Sequence, residues 1–144
     1  MCLHLNHLEP KIADKDIICY KFVDRTKIKG VYKSSFKKFE YIIRRLYTNN
    51  ISIEFSDRAI KPSKTHYKRY YIEEDMFHSY MTLSYSLQKS IQLLYKNKVI
   101  LKCIIPKGAY YYIGMCGNNL SYASSQIKIL EEIWVQKKKK YLRL

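Results

Sequence analysis

The chain has 144 residues, 47% of them apolar, with 27 Lys and Arg against 12 Asp and Glu, a formal charge of +15. That size and apolar share suit one compact domain with its own core, and no apolar run approaches the ~20 residues needed to span a bilayer. The opening Met1-Cys-Leu-His-Leu-Asn-His7 has neither the basic lead nor the apolar core of a signal peptide, and Cys2, Cys19, Cys103 and Cys116 form no C-x-x-C pair, so a reduced cytoplasmic compartment is expected rather than a disulfide scaffold or a membrane.

The first periodic segment, residues 17–23, is rich in β-branched and aromatic side chains and predicts a strand central in a sheet. Ser35 then precedes Phe36, Phe39, Ile43, Leu46 and Tyr47 at intervals of three and four, which predicts an amphipathic helix ended by Asn49-Asn50. Ile51, Ile53 and Phe55 alternate with polar residues as in a half-exposed strand, residues 57–68 read as a basic loop, and residues 70–72 as a short strand.

Thr82 caps a second predicted helix over 82–95, with Leu83, Leu87, Ile91 and Leu94 as its apolar stripe. Strands follow at 99–105, at 110–113 after the turn Pro106-Lys-Gly108, and at 126–130, with a loop expected over 114–121. Several strands in succession with two helices predict an α+β fold with a mixed or antiparallel sheet. One domain is expected over 1–136, with a basic tail over 137–144 in which the lysines 137–140 repel one another.

No complete catalytic signature is present. The four glycines at 30, 108, 114 and 117 are too scattered for a phosphate loop, and no serine lies in a nucleophile elbow. Cys2, His4 and His7 supply thiolate and imidazole, but their spacing matches no zinc finger and a fourth ligand is missing, so no metal and no cofactor are expected. The main chemical theme is aromatics interleaved with cations: His66-Tyr67-Lys68-Arg69-Tyr70-Tyr71, and Lys107 with Tyr110-Tyr111-Tyr112. Tyrosine faces stack on bases while lysine and arginine hold phosphates, so Lys107, Tyr110 and Tyr112 are candidate ligand-binding residues. Within 110–112 alternate tyrosines face opposite sides, which leaves open whether Tyr111 or the pair Tyr110 and Tyr112 is core. The net charge points to a polyanion or an anionic small molecule. Codon bias in an A/T-rich genome accounts for the same abundance of Lys, Ile, Tyr and Asn.

Glu9-Pro-Lys-Ile-Ala13, Asp16-Ile-Ile-Cys-Tyr-Lys21, Phe77-His78-Ser79, Cys103-Ile-Ile-Pro-Lys-Gly108, Tyr111-Tyr112 and Tyr122-Ala-Ser124 together resemble a family of small uncharacterised proteins from gut Bacteroidetes-type bacteria and their phages. More distantly, Phe77-His-Ser, the predicted 82–95 helix and residues 122–130 resemble the order of elements in ADP-ribosyltransferase-like domains. That second resemblance implies a nucleotide pocket with Tyr20, Lys21 and His78 in it. The acidic residue that such enzymes carry near the last strand is absent from 120–126, which implies a degenerate pocket unless Glu131 or the 73–75 acidic cluster takes its place.

The expectation is therefore a non-enzymatic, phage-type accessory protein that binds an anionic nucleotide or nucleic acid in the cytoplasm, the host cell's if phage-encoded, and that serves counter-defence. The alternatives are an NAD-using ADP-ribosyltransferase-like enzyme and a structural or virion-associated protein that is a homo-oligomer or has a virion partner.

Overall fold

The computed structural model describes residues 3–5, 9–34, 39–48, 60–62, 70–72, 76–84 and 98–133. These form thirteen strands in one antiparallel sheet: β1 (Leu3–Leu5), β2 (Lys11–Ile12), β3 (Ile17–Arg25), β4 (Val31–Ser34), β5 (Glu40–Ile42), β6 (Leu46–Thr48), β7 (Ile60–Pro62), β8 (Tyr70–Ile72), β9 (Phe77–Tyr80), β10 (Lys98–Ile105), β11 (Tyr110–Cys116), β12 (Asn119–Ser124) and β13 (Gln126–Ile133). No helix occurs among the described residues, and none is therefore long and apolar enough to cross a membrane.

The α+β expectation is thus corrected to all-β. Where a helix was expected from Ser35 onward, residues 39–48 instead form β5 and β6 joined by a tight turn in which Arg44 has φ 66°. A right-handed helix cannot pass through that conformation. The rings of Phe39, Tyr41, Tyr47 and Phe77 interlock at centroid distances of 5.0–6.5 Å, and this tertiary packing outweighs the local spacing of three and four. Of the second expected helix, 82–84 are described and are not helical, while 85–97 lie outside the described residues. The expected loop over 114–121 is a hairpin instead, β11 pairing with β12 through a turn at Gly117, whose φ of 60° suits a residue without a Cβ. The expected strand at 51–55, most of the 57–68 loop, the aromatic and basic residues 66–69 and the tail 137–144 lie outside the described residues.

The main path through the sheet is β6-β13-β10-β3-β9-β12-β11-β1-β8-β7. Only Ser125 separates β12 from β13, yet β12 pairs with β9 while β13 pairs with β10, and β3 pairs with both β9 and β10. The sheet therefore closes a circuit around one interior. Alternation along β3 and β10 puts Cys19, Val23, Leu101, Cys103 and Ile105 inside, where they meet Phe77, Tyr122, Ile127 and Ile129, with Tyr32 and Tyr41 packed at one end. Each such aliphatic side chain contributes about 1.5–3 kcal/mol by leaving water. A smaller cluster of Met76, Tyr112 and Ala123, with Leu5 and Cys116 against it, lies on the other face of β9, β12 and β11.

A β-bulge between β10 and β13 redirects two acidic side chains. Cys103 faces Ile129, but past the register shift Lys102 faces Glu131 and Leu101 faces Glu132. One extra residue on β13 thereby moves Glu132 onto the inner face. There it accepts hydrogen bonds from the Arg25 guanidinium and, at 2.6 Å, from the Tyr32 hydroxyl.

Candidate functional site

The six candidate ligand residues divide between the interior, a turn and the outer face of the sheet. Lys21 is on the inner face of β3 between Cys19 and Val23, only 8% exposed. Its Nζ donates to the His78 carbonyl and lies 5.1 Å from the centroid of the Tyr41 ring. A buried ammonium needs such partners, so the structure gives Lys21 a task inside the fold. Tyr112 is fully buried in the smaller cluster, so a base cannot stack on it in this conformation. Its neighbour Tyr111 packs against the main core, so β11 buries aromatic surface on both faces.

Lys107 is exposed in the β10–β11 turn, where its backbone N–H donates to Asp16 Oδ1 at 2.9 Å. Tyr110 is half-buried. Its backbone N–H donates to Ser125 Oγ at 3.0 Å, and its carbonyl accepts from Ser125 N at 2.9 Å. Tyr20 and His78 occupy outward positions of β3 and β9, opposite Tyr80 and Ala123 respectively. The structure therefore brings Tyr20 and His78 to one face and sets Lys107 and Tyr110 at the end of β11.

Register extends that outer face across consecutive strands. Tyr80, Tyr20 and Lys102 form one row on β9, β3 and β10. One row along, Ile18, Ile104, Lys128 and Leu46 follow on β3, β10, β13 and β6. Phe22, also outward, sets its ring edge-on to Tyr80 at 5.3 Å. Ile18 and Leu46 are 50% and 49% exposed, whereas Ile100 at the Phe22 end is 2% exposed, so the face is open at the Ile18 end. Lys102 and Lys128 were not among the sequence candidates. Their signal was present, since each interrupts an apolar alternation at an outward position.

Ionisation inside the fold follows burial. The Cys19 thiol is pushed up to about 11 by burial, with the Ser79 hydroxyl and the Lys21 charge pulling the other way. Burial also raises Cys103, reinforced by Cys19 and opposed by Lys21. Among the described residues Ser79 Oγ meets no partner of ordinary hydrogen-bond geometry, although it lies near enough to Cys19 to favour a thiolate. Tyr32 rises to about 12 through burial and then through the neighbouring Glu132 carboxylate, with Arg25 opposing. Burial raises Tyr80, with a further contribution from Cys116, whose Sγ lies 4.0 Å from the hydroxyl. These thiols and phenols are held protonated near neutral pH, which suits packing and not nucleophilic attack.

Among the described residues no three His, Cys, Asp or Glu side chains converge as a metal site; His4 is on β1, and Cys2 and His7 lie outside the described residues. Of the carboxylates that a transferase reading needs, Glu131 is exposed opposite Lys102, and residues 73–75 lie outside the described residues; the neighbouring Glu132 is engaged by Arg25 and Tyr32. No protein family, curated protein or solved structure matches the chain.

Proposed function

We propose that the chain binds single-stranded nucleic acid across the outer face of β9, β3, β10, β13 and β6. The supporting observation is the register row Tyr80–Tyr20–Lys102, with Lys128 one strand further on. Half-buried aromatic rings backed by a rigid sheet give bases a surface to stack on, and lysines beside them, Lys102 in the same row and Lys128 in the next, hold phosphates, a combination tolerant of sequence. Adjacent strands lie about 4.8 Å apart, so the five strands place these side chains along a path of roughly 19 Å, suited to a short stretch of extended strand. Glu131, opposite Lys102, is the one carboxylate in the row and disfavours phosphate there, which puts the phosphate path on the Lys128 side.

The test is fluorescence anisotropy with a short labelled oligothymidylate, the matching duplex, and free nucleotides as competitors. Tyr20→Ala is expected to weaken oligothymidylate binding by about five- to a hundred-fold, the range of one lost base stack, and the duplex is expected to bind less tightly than the single strand. Unchanged affinity in Tyr20→Ala and in Lys102→Ala would remove this face as the site.

A further inference from the structure

We infer that two hydrogen-bonded turns, one following Arg25 and one between β5 and β6, form a separate phosphate clamp, which grips the backbone of the bound strand beyond the aromatic face. The inference takes the ligand's identity from the nucleic-acid reading but uses none of the residues of that face. The turn between β3 and β4 carries Lys27 and Lys29, and the turn between β5 and β6 carries Arg44 and Arg45, all four exposed. The two turns are joined directly: Ile43 N donates to Gly30 O at 3.2 Å, and Val31 faces Ile42 in the ladder. Lys29 and Arg44 therefore flank a shared hydrogen bond although they are remote in sequence.

The carboxylates beside Arg25 are engaged elsewhere. Among the described residues Glu132 pairs with Arg25 and Asp24 pairs with Lys98, and none of the four turn cations makes an ion pair. Four like charges brought together raise the local potential, and a polyanion relieves it by displacing its own counterions.

Both turns are pre-formed. Thr26 Oγ1 accepts from Ile28 N at 3.2 Å and donates to Val31 O at 2.7 Å, which fixes the β3–β4 turn. Arg44 N donates to Ile129 O at 2.8 Å, and Arg45 O accepts from Ile129 N at 3.1 Å, which fixes the other against β13. Arg44 is also the described non-glycine residue with positive φ, at 66°. Glycine or asparagine would hold that conformation with less strain. An arginine there puts a planar guanidinium, able to grip phosphate through two parallel donors, at the turn's tip. Leu46, the next residue after Arg45, already belongs to the aromatic face, so one strand can run from face to clamp.

Ile28, 67% exposed between Lys27 and Lys29, admits a different occupant, an anionic membrane surface. One isoleucine buries far less apolar area than a single acyl chain, itself a marginal anchor, so the cations rather than the apolar tip decide the ligand.

The experiment compares the wild-type chain, the quadruple variant Lys27→Ser, Lys29→Ser, Arg44→Gly, Arg45→Ser, and Tyr20→Ala, each titrated with labelled oligothymidylate over a KCl series. Losing four phosphate contacts is expected to make the negative slope of log K against log salt shallower by about 3, while Tyr20→Ala keeps the wild-type slope. Arg44→Gly alone, which suits the turn, guards against a folding artefact and is expected to make the slope shallower by about 0.7. A shallower slope in the cation variants with no effect of Tyr20→Ala would uphold the clamp and remove the aromatic face. A slope that stays at the wild-type value in both cation variants overturns the clamp whatever Tyr20→Ala does. Tighter binding to phosphatidylserine vesicles than to the oligonucleotide overturns it in favour of a membrane.

Discussion

Lys21 shows how far a strand's alternation can be read from residue types alone. In Cys19-Tyr-Lys-Phe-Val23 the alternate sets are Cys19, Lys21 and Val23 against Tyr20 and Phe22, and apolar content favours burying the aromatic pair. The fold does the reverse, because the interior already holds the rings of Tyr41, Tyr122 and Phe77. Lys21 fits there by hydrogen-bonding the His78 carbonyl and resting over Tyr41. Lys21→Ala is accordingly expected to destabilise the protein by about 2–5 kcal/mol through the cavity it leaves, and Lys21→Met by less than about 2 kcal/mol, since its straight apolar chain fills the space. Urea unfolding of the two variants measures the difference. The Cys19 thiol supplies a pH test. Its value in the folded protein, about 11, lies above the ordinary 9.0, so the unfolded chain loses the proton first as pH rises. Its contribution is complete below pH 9.0 and is lost between there and about 11, a change of about 2–3 kcal/mol. Thermal unfolding across that range is expected to show a falling midpoint, and Cys19→Ala a shallower fall.

At the scale of elements, strand existence was more legible than strand pairing. The runs at 17–23, 70–72, 99–105 and 126–130 all became strands, because β-branched and aromatic residues at period two leave a pleated surface as the best way to bury one side. The helix expected from Ser35 failed at Arg44, whose backbone takes a conformation that residue type gives no hint of. Arg44→Gly is expected to raise stability by about 1 kcal/mol by removing that strain, even as it weakens nucleic-acid binding; opposite signs in the two assays separate fold from ligand. The bend at Ser125 was equally invisible, since nothing in Ser124-Ser125 marks where one strand leaves β9 for β10. There Ser125 Oγ accepts the Tyr110 amide hydrogen bond at 3.0 Å. Ser125→Ala is expected to cost about 1–3 kcal/mol, the penalty for leaving that amide unsatisfied, read by the same urea titration.

Over the whole molecule, the charge of +15 suggests an anionic ligand but gives no address for it. The proposed addresses come from long-range pairing: Tyr20 meets Tyr80 across 60 positions of sequence to build the aromatic row, and Gly30 meets Ile43 to join the two cationic turns. Lys107 and Tyr110, close together in sequence, stay at the far end of β11, and Tyr112 is committed to a core. On the nucleic-acid proposal, charge on the remaining surface adds affinity without choosing a site, so binding is expected to weaken steeply with salt even in variants that lose the row. The most direct measurement of the central claim is a two-dimensional amide NMR titration of the intact chain with unlabelled oligothymidylate. Shifts concentrated on Ile18, Tyr20, Tyr80, Lys102, Lys128 and Leu46, and continuing to Lys29 and Arg44, are the expected result. Shifts centred on Lys107 and Tyr110 with those residues unmoved, or no shifts at all, would contradict it.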